Sequence, residues 1–386
     1  MTDLQPETAA LWRSPAALAP AQRRTFDDLL AYCAPGPAAL AAQHTEEGTT
    51  VRLPADPGWP VDRVRGLLDD AFARAGAAPP RDPKVLVELG GRHRPPTPLP
   101  VGPPDSTHVG PGLNVSGPGV ARLMRALDRV FLDLARRAGA DEHAVPHLVS
   151  WETVERAGYH RTFPQHLTPC AVAGPDLAAL DRFAAAAPED RMAELRPAPV
   201  VLAPAVCLSL FAALADSVLD RPFIGTATGG CARHEAGTVR STTRLWAFTM
   251  REVVFVGERA AARAFRDAML DQVAEFAREL DLPSTLLSAN DPFFTRERGD
   301  LTTFQSSFDL KHELLGRTAD GSPVAVTSVN LHQQHFGTGF GITLPSGAPA
   351  HSTCVGFGLE RWAQWIHSHL GSDPSAWPAP LRTAAA

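Results

Sequence analysis

The sequence predicts an α+β protein, with one antiparallel sheet flanked by helices and a small α/β lobe ahead of it. Three observations carry that prediction. The stretch from Phe248 to Val256 is dense in β-branched and aromatic residues and stops at Gly257, as a strand does. The segments Phe304 to Leu315 and Pro323 to Gln334 read as two more strands, joined by a turn at Asp320-Gly321. Ala121 to Ala138 and Glu258 to Leu280 place apolar residues at helical spacing, and Gly139 stops the first of these helices.

A length of 386 residues exceeds the usual single domain, so two unequal parts are expected. Residues 1–112 form the lobe and a linker, and 113–386 the larger core. In the lobe, a helix is expected from Pro20 to Cys33 and a strand from Thr49 to Leu53. A helix from Val61 to Ala75 follows Pro60, and a strand runs from Lys84 to Leu89. Between Gly91 and Gly112 proline, glycine and polar residues dominate, the composition of a linker or wrapping segment.

With 44% hydrophobic and 20% charged residues the chain can bury a large core. A net charge of −6 argues against a broad nucleic-acid surface. The five cysteines (Cys33, Cys170, Cys207, Cys231 and Cys354) are odd in number, scattered and free of any C-x-x-C pair. They make no disulfide framework and fit a reducing, cytoplasmic setting. The amino terminus lacks the apolar core of a signal peptide. The uncharged run from 198 to 215 has the length of a membrane span, but Pro199 and Pro204 interrupt it. It reads as a buried strand and loop leading into a core helix, and no membrane partner is expected.

The chemistry concentrates between Cys231 and Gly257, two apolar-rich strands around a polar loop. Arg233, Arg240, Arg244 and Arg251 lie here with Glu235 and Glu252. A hairpin that holds Arg233 close to Arg244 concentrates positive charge in forked guanidinium groups, which suits a polyphosphate. The same pattern also describes a surface hairpin whose arginines pair with nearby acids. A second stretch, His351 to Trp362, runs as a strand through small residues into a helix near Leu359, delivering Glu360 and Arg361 at its start.

In this order, Arg233-x-Glu235, Arg244-x-x-x-Phe248 and Gly356-Phe-Gly358-Leu-Glu360-Arg361 resemble motifs 2 and 3 of the class II aminoacyl-tRNA synthetase core. The helix from Ala121 and the segment after it resemble motif 1, with Pro146 at the motif proline. The resemblance implies a class II-like antiparallel sheet and a homodimer formed through that helix and strand. It also implies ATP, accompanied by Mg²⁺, as a substrate. Arg233 would take the α-phosphate and the acid's carboxylate, and Arg244 and Arg361 the outer phosphates, with Arg233 and Arg361 as the catalytic pair. Phe248 would stack on adenine beneath Arg361, beside Leu245, and Glu235 would meet the adenine amino group or orient an arginine.

Cys207, Glu252 and Cys354 are too far apart for their spacing to mean anything, and each cysteine alone reads as a small buried hydrophobe. The resemblance places Glu252 on the motif 2 strand and Cys354 on the strand entering motif 3, facing one pocket. Two thiolates and a carboxylate would give one Zn²⁺ per subunit three protein ligands and an open position for a substrate amine. Within class II enzymes that set belongs to the atypical seryl-tRNA synthetases and their truncated relatives, the amino acid:[carrier protein] ligases. The second group is the closer resemblance, because the chain shows no recognisable tRNA-binding arm. Phe308-Asp-Leu-Lys311-His-Glu and Ser328-Val-Asn330-Leu-His-Gln-Gln-His-Phe-Gly resemble ligase strands. Gly337-Thr-Gly stands where seryl enzymes tend to carry an arginine pair. Lys311, Ser328 and Asn330 would then line the nucleotide and amino-acid pocket, although their residue types also suit ordinary strand positions.

The resemblance implies adenylation of a small amino acid and its transfer to the phosphopantetheine thiol of an acyl or peptidyl carrier protein. The alternatives are a zinc-dependent seryl-tRNA synthetase, disfavoured by the acidic charge, and a non-catalytic paralogue that binds an amino acid or nucleotide.

Overall fold

The computed structural model describes residues 10–34, 40–54, 58–77, 83–89, 91, 106–234, 243–289 and 310–385. At the amino-terminal end, β1 (Leu11–Arg13), β2 (Ala42–His44) and β3 (Thr49–Arg52) form an antiparallel sheet in the order β1-β3-β2. Helices Pro20–Leu30 and Val61–Ala77 pack on it through one core that includes Trp12, Phe26, Val51, Val64 and Leu68. Trp12 stacks on Phe26 at 5.5 Å between ring centres, and its indole N–H donates to Asp69 at 2.8 Å, so the polar edge of a buried ring is satisfied. The first helix stops three residues short of the expected Cys33, and Tyr32 and Cys33 close it as a turn.

Next come β4 (Val85–Leu89) and a hairpin of β5 (Ser106–Gly110) with β6 (Leu113–Ser116). The expected helix follows as Pro118–Arg137. It starts earlier than its apolar spacing suggests because proline is tolerated in the first turn, where its missing N–H has no helical partner anyway. It ends before Gly139, whose φ of +84° suits a residue without a side chain.

The short strand β7 (Asp141–Glu142) comes after it. Then β8 (Leu148–Ser150), β9 (Pro169–Ala173) and β10 (Leu195–Leu202) make a separate three-stranded sheet. The uncharged run at 198–215 is the end of β10, a loop and helix Cys207–Ala213. Among the described residues no helix is long and apolar enough to cross a membrane.

The remaining strands are β11 (Phe223–Ala232), β12 (Ala247–Gly257), β13 (Ser284–Ser288), β14 (Lys311–Arg317), β15 (Pro323–Gln333) and β16 (His351–Gly358). With β4 and β7 they build an eight-stranded sheet in the order β4-β13-β14-β15-β16-β12-β11-β7. Two details differ from the sequence expectation. β4, grouped there with the amino-terminal lobe, pairs with β13 as an edge of the large sheet. The sheet is also mixed, since β7 runs parallel to β11 while every other pairing is antiparallel.

Both faces of the sheet are covered, which is why β12 is buried from Met250 to Gly257 and reads as an almost continuous apolar run. Helices Pro118–Arg137, Arg259–Leu280 and Leu359–Leu370 cover one face. Val253, Val355 and Phe357 enter that core, and Phe131 stacks on Phe357 at 4.1 Å. Because side chains alternate along a strand, Met250, Glu252 and Val254 turn to the other face.

Arg251 shares the helix-covered face with Val253 and is 1% exposed. It donates two hydrogen bonds to Asp128 on helix Pro118–Arg137, at 2.6 and 3.0 Å, and a third to Glu142 on β7 at 3.2 Å. This guanidinium therefore ties helix to sheet and takes no part in the opposite face. Arg251→Met removes the buried cation that joins Asp128 to Glu142, and leaves Glu142 with its exposed pairing to Arg136 at 3.4 Å. Urea titration should show a loss of about 3 kcal/mol with an unchanged m-value.

Candidate active site

The register of the antiparallel ladders fixes which side chains meet. Glu252 on β12 lies opposite Ala227 on β11 and Gly356 on β16, and Gly356 lies opposite Ser328 on β15. One step along, Val254 lies opposite Cys354, Cys354 opposite Asn330, and Asn330 opposite Lys311 on β14. A small residue on each side of Glu252 leaves its carboxylate open towards the face. A Cβ on Gly356 would stand 2.8 Å from the Met250 methyl and 3.5 Å from Glu252 Oε1.

Cys207 reaches this face from another element. It is the first residue of its helix, so its amide has no helical acceptor, and it donates to Glu252 Oε2 at 2.5 Å. The Cys207 and Cys354 thiols are close enough to set each other's ionisation. Cys207, Glu252 and Cys354, scattered in the sequence, are thus buried side by side. Asn330 donates to Cys354 Sγ at 3.7 Å and to Ser328 Oγ at 3.4 Å, and His332 Nε2 lies 3.4 Å from the same sulfur.

The electrostatics follow mainly from burial. Its interaction with Cys207 holds Cys354 well below the ordinary thiol range, while Cys207, the other member of the buried pair, is held well above. Burial, then the charge of Cys354, pushes the Glu252 carboxyl up to about 7, against the Cys207 amide and Arg233. Cys231, pushed up to about 12 by burial and then Glu252, is no nucleophile at neutral pH. The residue types and their burial suit zinc. Among the described residues, however, no group of three or more histidine, cysteine or acidic side chains is arranged as a metal shell.

The arginine end adjoins this cluster. Arg233 follows β11, and its backbone amide donates to the Trp246 carbonyl at 2.9 Å. Its Nε donates to Pro204 O at 2.8 Å, and its guanidinium carbon lies 5.5 Å from the centre of the Phe248 ring. Arg361, two residues into its helix, donates to Thr243 O at 2.8 Å and to Ala325 O at 3.2 Å. The neighbouring Glu360 accepts the Thr249 amide at 2.9 Å, which pins the helix start to β12. Arg233, Phe248 and Arg361 thus gather at one end of β12. Arg244 is exposed and lies 3.5 Å from Asp28 of the amino-terminal lobe, and Leu245 beside it is half-buried. Lys311 is buried and paired with Glu313 at 3.0 Å. Glu235 and the first part of the expected Phe304 strand lie outside the described residues.

Gly337 opens the Gly337-Thr-Gly stretch. It sits in helix His335–Phe340, and a Cβ there would strike the Ala350 carbonyl. The sequence alone assigns no role to His332, the histidine two residues after Asn330. The register of β15 on β16 slips between Leu331 and Gln333, a β-bulge at His332, so alternation along the strand does not by itself place this side chain beside Asn330.

This sheet, helix and site arrangement defines a class II synthetase fold. It is similar to the M. kandleri seryl-tRNA synthetase solved in complex with A. aeolicus tRNASec, with a TM-score of 0.70 and 22% identity over 97% of this chain and 76% of that one. No protein-family model matches the chain. Two curated proteins of Bradyrhizobium diazoefficiens are nearer in sequence. Amino acid–[acyl-carrier-protein] ligase 2 is 33% identical over 302 residues, 74% of this chain and 88% of the relative. Ligase 1 is 36% identical over 256 residues, 64% of this chain and 77% of the relative. The chain belongs to the amino acid–[acyl-carrier-protein] ligase family.

Glu252 gives the site a pH signature. Its carboxyl, raised from an ordinary value of 4.5, keeps its proton in the folded chain after the unfolded chain has lost it. Its contribution is complete below pH 4.5 and is lost as pH rises to about 7. Metal-free protein should lose about 3 kcal/mol of stability over that range. Urea midpoints across pH should show the slope, and Glu252→Gln should flatten it.

Proposed function

We propose that the protein activates a small amino acid with ATP and passes the aminoacyl group to the phosphopantetheine thiol of a carrier protein. The observation that supports this most is the buried cluster of Cys207, Glu252 and Cys354 next to the Arg233–Phe248 stack on one sheet face. In this reading the amino acid's carboxylate oxygen attacks the α-phosphorus, the bond to the β-phosphate oxygen breaks, and pyrophosphate leaves with Mg²⁺. The carrier's thiolate then attacks the acyl carbon, and AMP departs as the thioester forms.

Arg233 grips the α-phosphate as charge builds on it, and Arg361 and Arg244 hold the outer phosphates. Phe248 supports the adenine with Leu245 beside it, and Glu235 meets its amino group. For Arg244 to serve, ATP displaces Asp28 from it. Lys311, Ser328 and Asn330 border the place of the amino acid. Cys207, Glu252 and Cys354 would hold zinc, which supplies a Lewis-acidic anchor for the substrate amine. Holding the metal would need Cys207, Glu252 and Cys354 deprotonated, and Glu252 would have to leave the Cys207 amide to reach it. Helix Pro118–Arg137 and β7, held together by Arg251, would form the contact of a homodimer.

An ATP–pyrophosphate exchange screen across the amino acids tests this reading. Exchange should depend on one or a few small amino acids, and Arg233→Ala should lower it about 100- to 1000-fold. Label should then reach phosphopantetheinylated carrier protein. Charging of tRNA instead would identify a seryl-type synthetase, and exchange indifferent to every amino acid would refute the proposal. Light scattering should give twice the 41.2 kDa of one chain.

A further inference from the structure

We propose that Glu313 is the positioning residue for Lys311. Its carboxylate holds the buried ammonium over the site face, where the ammonium meets an anionic oxygen of the reacting pair, on the α-phosphate or on the amino acid's carboxylate. The proposal rests on the activation reading above for the reacting groups and on the strand ladder for its geometry.

The register supplies the first observation. Two rows of residues cross the same face of the sheet. Lys311, Asn330 and Cys354 stand opposite one another on β14, β15 and β16. Glu313, Ser328, Gly356 and Glu252 form the next row, which ends on β12. Directly opposite residues share a face, and so do residues two apart along one strand. Glu313 therefore belongs to the face that carries Glu252 and Cys354. Gly356 leaves its row without a side chain between Ser328 and Glu252, and a Cβ there would stand 3.4 Å from Ser328 Oγ and 3.5 Å from Glu252 Oε1.

The ion pair supplies the second. Lys311 Nζ lies 3.0 Å from Glu313 Oε1, with side-chain exposures of 9% and 23%. A lysine stem is long and flexible, and this contact draws it along β14, from the row of Asn330 and Cys354 toward the row of Ser328 and Gly356. Asn330, opposite Lys311, gives its N–H donors to Ser328 Oγ and Cys354 Sγ. A buried ion pair is a poor way to stabilise a sheet, since apolar residues of similar volume do as well or better. On a face that carries a site it does something apolar residues cannot, which is to keep a flexible cation aimed at one place. A cation fixed in advance stabilises negative charge as it gathers on a reacting phosphate or arrives in a carboxylate, without having to reorient during the reaction.

The test is a double-mutant cycle read by ATP–pyrophosphate exchange, with the amino acid that exchanges best in the screen above. Glu313→Gln keeps the shape and removes the charge, and it should lower kcat/KM about ten- to a hundredfold. Glu313→Asp restores the charge on a shorter stem and should recover part of the loss. Lys311→Met leaves behind a carboxylate that water can reach, so this variant should fold. Adding Glu313→Gln to it should cost nothing further, because a residue that acts through Lys311 has nothing left to act on. The Michaelis constants name the anion: a raised KM for ATP marks the α-phosphate, and a raised KM for the amino acid marks the carboxylate. Unchanged kinetics in Glu313→Gln, or losses that multiply in the double variant, would overturn the proposal. If the wild type exchanges with no amino acid, the activation reading above fails. The same cycle on calorimetric ATP affinity then decides, non-additive for the proposal and additive against it.

Discussion

Two thiols and a carboxyl packed together away from water form the constraint around which the rest of this structure is set. Burying groups that ionise is costly unless they are paired, and among the described residues Cys207, Glu252 and Cys354 are met by hydrogen bonds among themselves and with Asn330 and His332. Nothing in the packing of an ordinary core calls for this. Hydrophobic residues would stabilise these positions better, as they do one step away at Val254 and Val256. The cluster is instead held by the parts of the fold least free to shift, the central strands β12, β15 and β16 and the first turn of a helix anchored on them.

β12 shows how one strand serves two purposes. Arg251 and Glu252 are adjacent in sequence and point to opposite faces. Arg251 is matched by Asp128 and Glu142 and joins helix Pro118–Arg137 to the sheet. Glu252 is left raised and reactive among thiols. The ion cluster on one face fixes the strand whose other face carries the buried carboxyl.

Much of the scaffold was legible because its signals are local. The run from Phe248 to Val256, the helices after Pro118 and Glu258, and the strand-to-helix passage at Gly358 all emerge within a few residues of expectation. The place of β4 was not legible, since the partner that claims it, Ser284–Ser288, lies some 200 residues away and neither segment encodes the pairing. Residue spacing could not join Cys207 to Glu252 and Cys354. Family resemblance suggested the set, and the ladder register explains why they meet. His332 depends on a bulge, and a bulge is a property of two strands in register, invisible in either alone.

Zinc K-edge X-ray absorption on the purified protein, with and without a small amino acid, tests the central claim most directly. The account predicts a stoichiometric edge whose first shell holds two sulfurs at about 2.3 Å and light atoms at about 2.0–2.2 Å. The light shell should change when the amino acid is added, while the sulfur count stays fixed. A missing edge, a four-sulfur shell or a shell indifferent to the amino acid would contradict it.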